Sequence, residues 1–269
     1  MRATKYKCRL IQLIALCLIL LINQSAASSL RGEKVRELGE LKVCYWPDYF
    51  AISYKNPRTG RLEGIDIDMA RELSTFMGVT LRFVESSFSS LVENLSNDAC
   101  DIAMHAVGIR DDRKTYMEFS SPYLKSDIYA VSTKDNQYIT SWEEIDEYGN
   151  IVVVQRGTFM EPVLKGYIKN AKVTVVDSFK AREQEVLSGR ADVFMADYPY
   201  GKRMTQLTSW AVLFKPQESL APTEYAYAVP KGELDWLQEI NDFLLTMKQT
   251  GKLTEFAEKH GLSEIVVND

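Results

Sequence analysis

Arg113 stands at a strand-to-helix turn, where a guanidinium could grip an anion. It ends the run Asp101-Ile-Ala-Met-His-Ala-Val-Gly-Ile-Arg-Asp-Asp-Arg113. That run reads as an apolar strand over residues 101–104, then small residues at Ala106 and Gly108, then a helix with Asp111 and Asp112 near its start. Carboxylates suit a helix N-terminus, where free N–H groups and the helix dipole leave positive potential. Open α/β sheets bind ligands in the crevice beyond the carboxyl ends of their strands. Arg113, one turn into the helix, would point its fork of donors there. A guanidinium stays charged and holds a carboxylate by two parallel hydrogen bonds. The plainer alternative is a surface arginine paired with Asp112 or Glu118. His105, on the same strand, reads either as a polar contact or catalytic group or as an interior side chain. With His260 the only other histidine, a histidine-based metal site is not expected.

These residues need a scaffold, and the chain spells one. Residues 41–45 read as a strand, followed by the aromatic loop Trp46-Pro-Asp-Tyr-Phe50 and a turn at 57–60. A helix capped by Asp66 carries Met69, Ala70, Leu73, Phe76 and Met77 on one face and stops at Gly78. A strand at 80–84, a short helix at 88–95 and the strand at 101–104 complete a βαβαβ series, hence a parallel sheet. A second series begins with a strand at 151–154. Gly157-Thr158 opens a helix to about residue 168; a strand at 172–176, a helix at 179–187 and a strand at 193–196 ending at Asp197 follow. An aromatic and polar loop is expected next, then a strand at 224–229 and two amphipathic helices. Two α/β halves joined by strand-like crossings near 124–132 and 216–229 make a hinge, and the cleft between them is the natural ligand site.

Residues 1–27 read as a secretory signal peptide: Arg2, Lys5, Lys7 and Arg9 precede an apolar run at 10–22 and the small residues Ser25-Ala26-Ala27. That run is too short to span a bilayer comfortably, and bulky Leu16 disfavours a lipid anchor on Cys17. Without the leader, 28 Lys and Arg face 37 Asp and Glu. This balance argues against nucleic acid and anionic membranes as partners. Export permits a disulfide between Cys44 and Cys100. Their offset along neighbouring parallel strands instead predicts two separate thiols.

Gly64-Ile-Asp-Ile-Asp-Met69, Asp101-Ile-Ala, the Arg113 turn, Phe119-Ser-Ser-Pro-Tyr123, Val154-Gln-Arg-Gly-Thr158, Ala191-Asp-Val-Phe-Met-Ala-Asp197 and the ending Gly251-Lys-Leu-Thr-Glu-Phe-Ala257 fall in one order. As a set they resemble the periplasmic solute-binding proteins of the polar amino-acid branch, family 3. The resemblance covers essentially the whole mature chain. It implies a two-lobed type II periplasmic-binding-protein fold, with residues 28–124 plus 222–269 as one lobe and 125–221 as the other. By the same resemblance Arg113 clasps a ligand α-carboxylate, Asp197 takes the ammonium and Thr158 donates to the carboxylate, while Tyr49 and Phe88 flank the ligand side chain. It further implies a monomer without cofactor or metal, capturing a small amino acid or organic acid for an ABC permease or a sensor.

The departures from that pattern narrow the ligand. His105, Ala106, Gly108 and Arg110 stand where relatives often carry hydroxyl or glycine residues, which leaves a small aromatic or carboxylic acid open. Trp46 stands where binders of basic amino acids often place an acid, so lysine, arginine and histidine are not expected. The alternative class is an enzyme. Gly64-Ile-Asp-Ile-Asp-Met-Ala70 and Asp101-Ile-Ala-Met104 are also similar to the exported cyclohexadienyl (arogenate/prephenate) dehydratases. In those enzymes a glutamate follows the Gly-Thr pair after one residue. Here Phe159 and Met160 precede Glu161, turning the candidate acid by about 100°.

Overall fold

The computed structural model describes residues 30–268; the leader expected at 1–27 lies outside them. Helix α1 (Arg31–Leu38) leads into β1 (Glu40–Tyr45). The aromatic loop then folds into a small antiparallel sheet of β2 (Asp48–Tyr49), β3 (Ser53–Lys55) and β4 (Leu62–Glu63). Helix α2 (Ile65–Met77) buries Ile65, Met69, Leu73 and Met77 and ends at Gly78, whose φ of 70° is the left-handed geometry that glycine adopts freely. Next come β5 (Thr80–Glu85), α3 (Leu91–Ser96), β6 (Ile102–Gly108), the single turn α4 (Asp111–Lys114), β7 (Met117–Phe119) and β8 (Leu124–Ser126).

The second half holds β9 (Tyr129–Thr133), β10 (Ile151–Gln155), α5 (Met160–Tyr167), β11 (Lys172–Val176), α6 (Phe179–Leu187), β12 (Val193–Ala196), α7 (Tyr198–Leu207) and β13 (Ala211–Phe214). The chain returns through β14 (Thr223–Pro230) and closes with α8 (Leu234–Gln249) and α9 (Lys252–His260). The first sheet runs β5-β1-β6-β14-β7, and the second β11-β10-β12-β9-β13. In each, three parallel strands meet one antiparallel strand, β14 or β9, that carries the crossing chain. Both central parallel strands, β6 and β12, are wholly buried, as sheets covered on both faces require. The last helices dock on the first sheet's side: Arg31 pairs with Glu233, Lys252 with Glu72, and Trp236 donates to the Asp101 carbonyl at 2.9 Å.

Four expectations need correction. Cys44 and Cys100 form a disulfide, with Cα atoms 5.6 Å apart. The prediction of separate thiols extended Cys100 along the line of β6. Asp98 instead adopts φ 55°, and pairing of β6 with β1 starts only at Ile102 opposite Val43. The turn therefore carries Cys100 back over the face where Cys44 packs with Leu91 and Leu95. Asp66 is no helix cap. It lies fully buried inside α2, which has Gly64 at its N-cap position. The loop expected after Asp197 is helix α7; Asp197 caps it by accepting from Tyr200 N–H, and Pro199 sits in its first turn. Its aromatic residues hid the helical period. Finally, Gly157 and Thr158 form a turn, and α5 starts only at Met160.

Candidate functional site

The carboxyl ends of β6 and β12 face each other, and α4 and the 157–159 turn close the gap between the two sheets. Arg113, 6% exposed, comes from α4. Its Nη1 donates to the Gly108 carbonyl at 3.1 Å and its Nη2 to the Gly157 carbonyl at 2.8 Å on the opposite side. Burial, and then the neighbouring Arg110 charge, lower its pKa to about 10, so it stays cationic at neutral pH. The surface-arginine alternative fails. Asp112 pairs with Arg110, Glu118 pairs with Lys231, and no ion pair to Arg113 forms among the described residues. Arg110 also donates to the Thr158 carbonyl at 3.1 Å, so two cations bridge to one turn. Gly157 permits this approach: at φ 76°, a Cβ there would sit 3.3 Å from the Phe88 carbonyl carbon.

Asp197, 2% exposed, directly follows β12 and caps α7. Its Oδ1 accepts from Tyr200 N–H at 3.1 Å, while Oδ2 accepts from the hydroxyls of Tyr49 and of Tyr225, the latter at 3.0 Å. Both tyrosines belong to the first half of the molecule. Burial raises the Asp197 pKa, opposed by the Tyr49 hydroxyl and the Arg182 charge. Thr158 is buried, with its hydroxyl donating to the Gln155 carbonyl at 2.8 Å within its own turn.

Arg113, Asp197, Thr158, Tyr49 and Phe88 line one cavity of about 10 Å³, roughly the room for one water. Trp46 stands behind them, stacked on Phe179 at 4.5 Å and edge-on to Phe88 at 4.5 Å. His105 does not line the cavity. It is fully buried beneath Phe88, neither ring nitrogen has a partner among the described residues, and burial and Arg113 drive its pKa down to about 3, so it is neutral.

The sequence reading missed Arg182, Tyr225, Phe159, Met160 and Phe179 on the same walls. Arg182 had a signal. Phe179, Arg182 and Val186 are spaced i, i+3, i+7 on α6, and all three are buried. Tyr225 and Tyr227 alternate on a strand that reads as core, and their hydroxyls disclosed nothing. Glu161 lies off the cavity, accepting from Gly157 N–H at 2.9 Å and pairing with Lys165.

Residues 41–263 match the model of the bacterial extracellular solute-binding proteins, family 3. Cyclohexadienyl dehydratase of Pseudomonas aeruginosa is 28% identical over 93% of this chain and 92% of its own. The L-cystine-binding protein TcyJ of Escherichia coli K12 is 28% identical over 84% of each chain. The crystal structure of AncCDT-1, an ancestral amino acid-binding protein described as a precursor of cyclohexadienyl dehydratase, superposes with a TM-score of 0.79 at 29% identity, covering 86% of this chain and 99% of that one. The family match spans both sheets and both crossings, and this chain belongs to the bacterial extracellular solute-binding proteins, family 3.

Proposed function

We propose that the cleft captures a small carboxylate-bearing ligand, an amino acid or a related organic acid, by closing two lobes over it. The observation that carries this reading is Arg113: a buried guanidinium whose hydrogen bonds, among the described residues, go to two carbonyl oxygens, one on each side of the cleft. A buried charge without a counter-ion is costly, and an entering carboxylate would relieve that cost with two charge-assisted bonds of roughly 1.5–3 kcal/mol each. Asp197 suits the ammonium of an amino acid, which would displace the tyrosine hydroxyls that now occupy Oδ2. A cavity of about 10 Å³ cannot admit such a ligand unless the lobes part. We take residues 28–124 plus 222–269 as one lobe and 125–221 as the other, hinged at the two crossings. A leader at 1–27 would export the chain, which then serves an ABC-type permease or a sensor as a monomer.

The dehydratase reading rests on the likeness to the Pseudomonas enzyme. A general acid must reach the leaving hydroxyl. Glu161 is held at the turn by Gly157 and Lys165, and Phe159 and Met160 occupy the wall in its stead. Binding without chemistry fits this arrangement better.

The test is a thermal-shift screen against amino acids, organic acids and prephenate, followed by calorimetry on Arg113→Ala. A ligand should raise Tm by mass action, and Arg113→Ala should fold normally and lose that ligand. Near-native affinity in the folded variant would overturn the reading. So would conversion of prephenate to phenylpyruvate.

A further inference from the structure

Arg182 is a second guanidinium in the cavity that nothing so far employs. It is 0% exposed. Nη1 donates to the Met195 carbonyl at 2.6 Å, but Nε and Nη2 have no partner among the described residues. The neighbouring carboxylates are engaged elsewhere: Asp197 accepts from Tyr49 and Tyr225, and Glu183 accepts from the Tyr200 hydroxyl. The nearby Asp197 and Glu183 charges favour the cation without pairing with it, and the guanidinium otherwise packs on rings, with its central carbon 4.2 Å from the Phe179 centroid, 4.2 Å from Tyr200 and 4.9 Å from Phe194. Cation–π contacts offset only part of the desolvation of a buried charge.

The two idle donors are informative because they share one edge of the guanidinium. That edge presents two parallel N–H bonds, the geometry a single carboxylate bridges. Its position matters as well. Arg113 packs on Phe88 and Arg182 on Phe179, and both rings contact Trp46 at 4.5 Å. The two guanidiniums therefore stand at opposite ends of one aromatic wall. Arg113, Arg182 and an ionised Asp197 leave the lining with one net positive charge, which a ligand carrying two carboxylates and one ammonium would neutralise.

We propose that the ligand of this cleft carries two carboxylates, the first held by Arg113 and the second by the Nε and Nη2 edge of Arg182. This rests on the cleft being a carboxylate-binding site and goes further by naming the ligand class, small diacids. Acidic amino acids and plain dicarboxylic acids share that chemistry and differ only in whether Asp197 has an ammonium to meet.

Calorimetry with matched pairs tests it: L-aspartate against L-asparagine, L-glutamate against L-glutamine, and succinate and glutarate against butyrate and pentanoate. In the wild-type protein the better diacid should bind about 100-fold or more tightly than its neutral-ended counterpart, the scale expected for pairing a buried charge. Arg182→Met should bring that ratio below about 10, and Arg182→Lys, which keeps the charge but not the fork, should fall between. A wild-type ratio within about threefold overturns the proposal whether or not either variant folds, as does an unchanged ratio in Arg182→Met. If the neutral-ended amino acids bind well and the diacids show no advantage, the diacid class falls while carboxylate capture stands. If no amino acid or carboxylic acid binds, both fall.

Discussion

Two buried aspartates of this protein have nearly the same surroundings and opposite topologies. Asp66 accepts from the Tyr123 hydroxyl at 2.7 Å, the Tyr227 hydroxyl at 3.3 Å and the Ala106 N–H at 2.8 Å. Asp197 likewise accepts from two tyrosine hydroxyls and one backbone N–H. All the partners of Asp66 lie in the first half of the molecule, on the segments around its sheet. The tyrosines of Asp197 come from across the cleft. On the lobe division proposed above, the first cluster lies within one lobe, whereas the second spans the cleft and would break on opening. Asp66 also secures Ala106, whose φ of 48° is unusual for a residue with a side chain, at the bend where β6 presents its end to the cavity. One set of groups thus holds the Ala106 bend in shape, and the other would, on the proposed reading, exchange tyrosine for ligand.

Removing each carboxylate is the strongest way to break that comparison. Asp66→Ala orphans three buried donors and should cost on the order of 3–5 kcal/mol, a fall in Tm near 10 °C for a chain of this size. Calorimetric unfolding within about 3 °C of wild type would show that the cluster is not structural. Asp197→Asn should leave Tm nearly unchanged and act on the ligand. If the ligand bears an ammonium, stranding it in the closed cleft costs on the order of 3–5 kcal/mol, two orders of magnitude or more in affinity. If the best ligand lacks an amine, the ratio of variant to wild-type affinity should be near one, and the zwitterion reading fails.

Single hydroxyls sharpen the contrast. Tyr123→Phe should lower stability by about 1 kcal/mol. Tyr49→Phe should scarcely change it, because its bond to Asp197 is lost on opening anyway. It should instead favour the open form, seen as a larger radius of gyration by small-angle scattering without ligand. Equal losses of Tm with unchanged scattering would make the two clusters equivalent.

The smallest effect is a slope with pH. Burial lifts the Asp66 pKa from 3.8 to about 7, against the pull of its three hydrogen bonds. Between those values the native state keeps a proton that the unfolded chain has released, so the contribution of Asp66 to stability falls as pH rises across that window. Asp66→Asn has no such proton. The Tm deficit of this variant should therefore be greater at pH 5 than at pH 8, and a deficit that grows with pH would contradict the assignment.

Local pattern was enough to read much of this molecule. Periods of two and 3.6 residues marked both strand–helix series, Gly78 ended α2 where expected, and the strand-to-helix turn singled out Arg113 before any contact was known. Those signals are encoded within a few neighbouring residues, which is why they survive in one dimension. What tertiary structure alone decided depends on which remote surfaces meet. Asp98 turns back so that Cys100 reaches Cys44. Asp66, plausible as a helix cap, faces inward to two tyrosines more than fifty residues away. His105 sits under Phe88 rather than on the cavity wall. The spacing of Arg182 with Phe179 and Val186 puts it on the apolar face of its helix but does not say what it meets there. Only the packing of α6 against β12 and the Trp46 loop removes it from water and leaves one edge of its fork unpaired. Sequence period assigns a side chain to a face, but the partner of that face is set by the path of the chain through space.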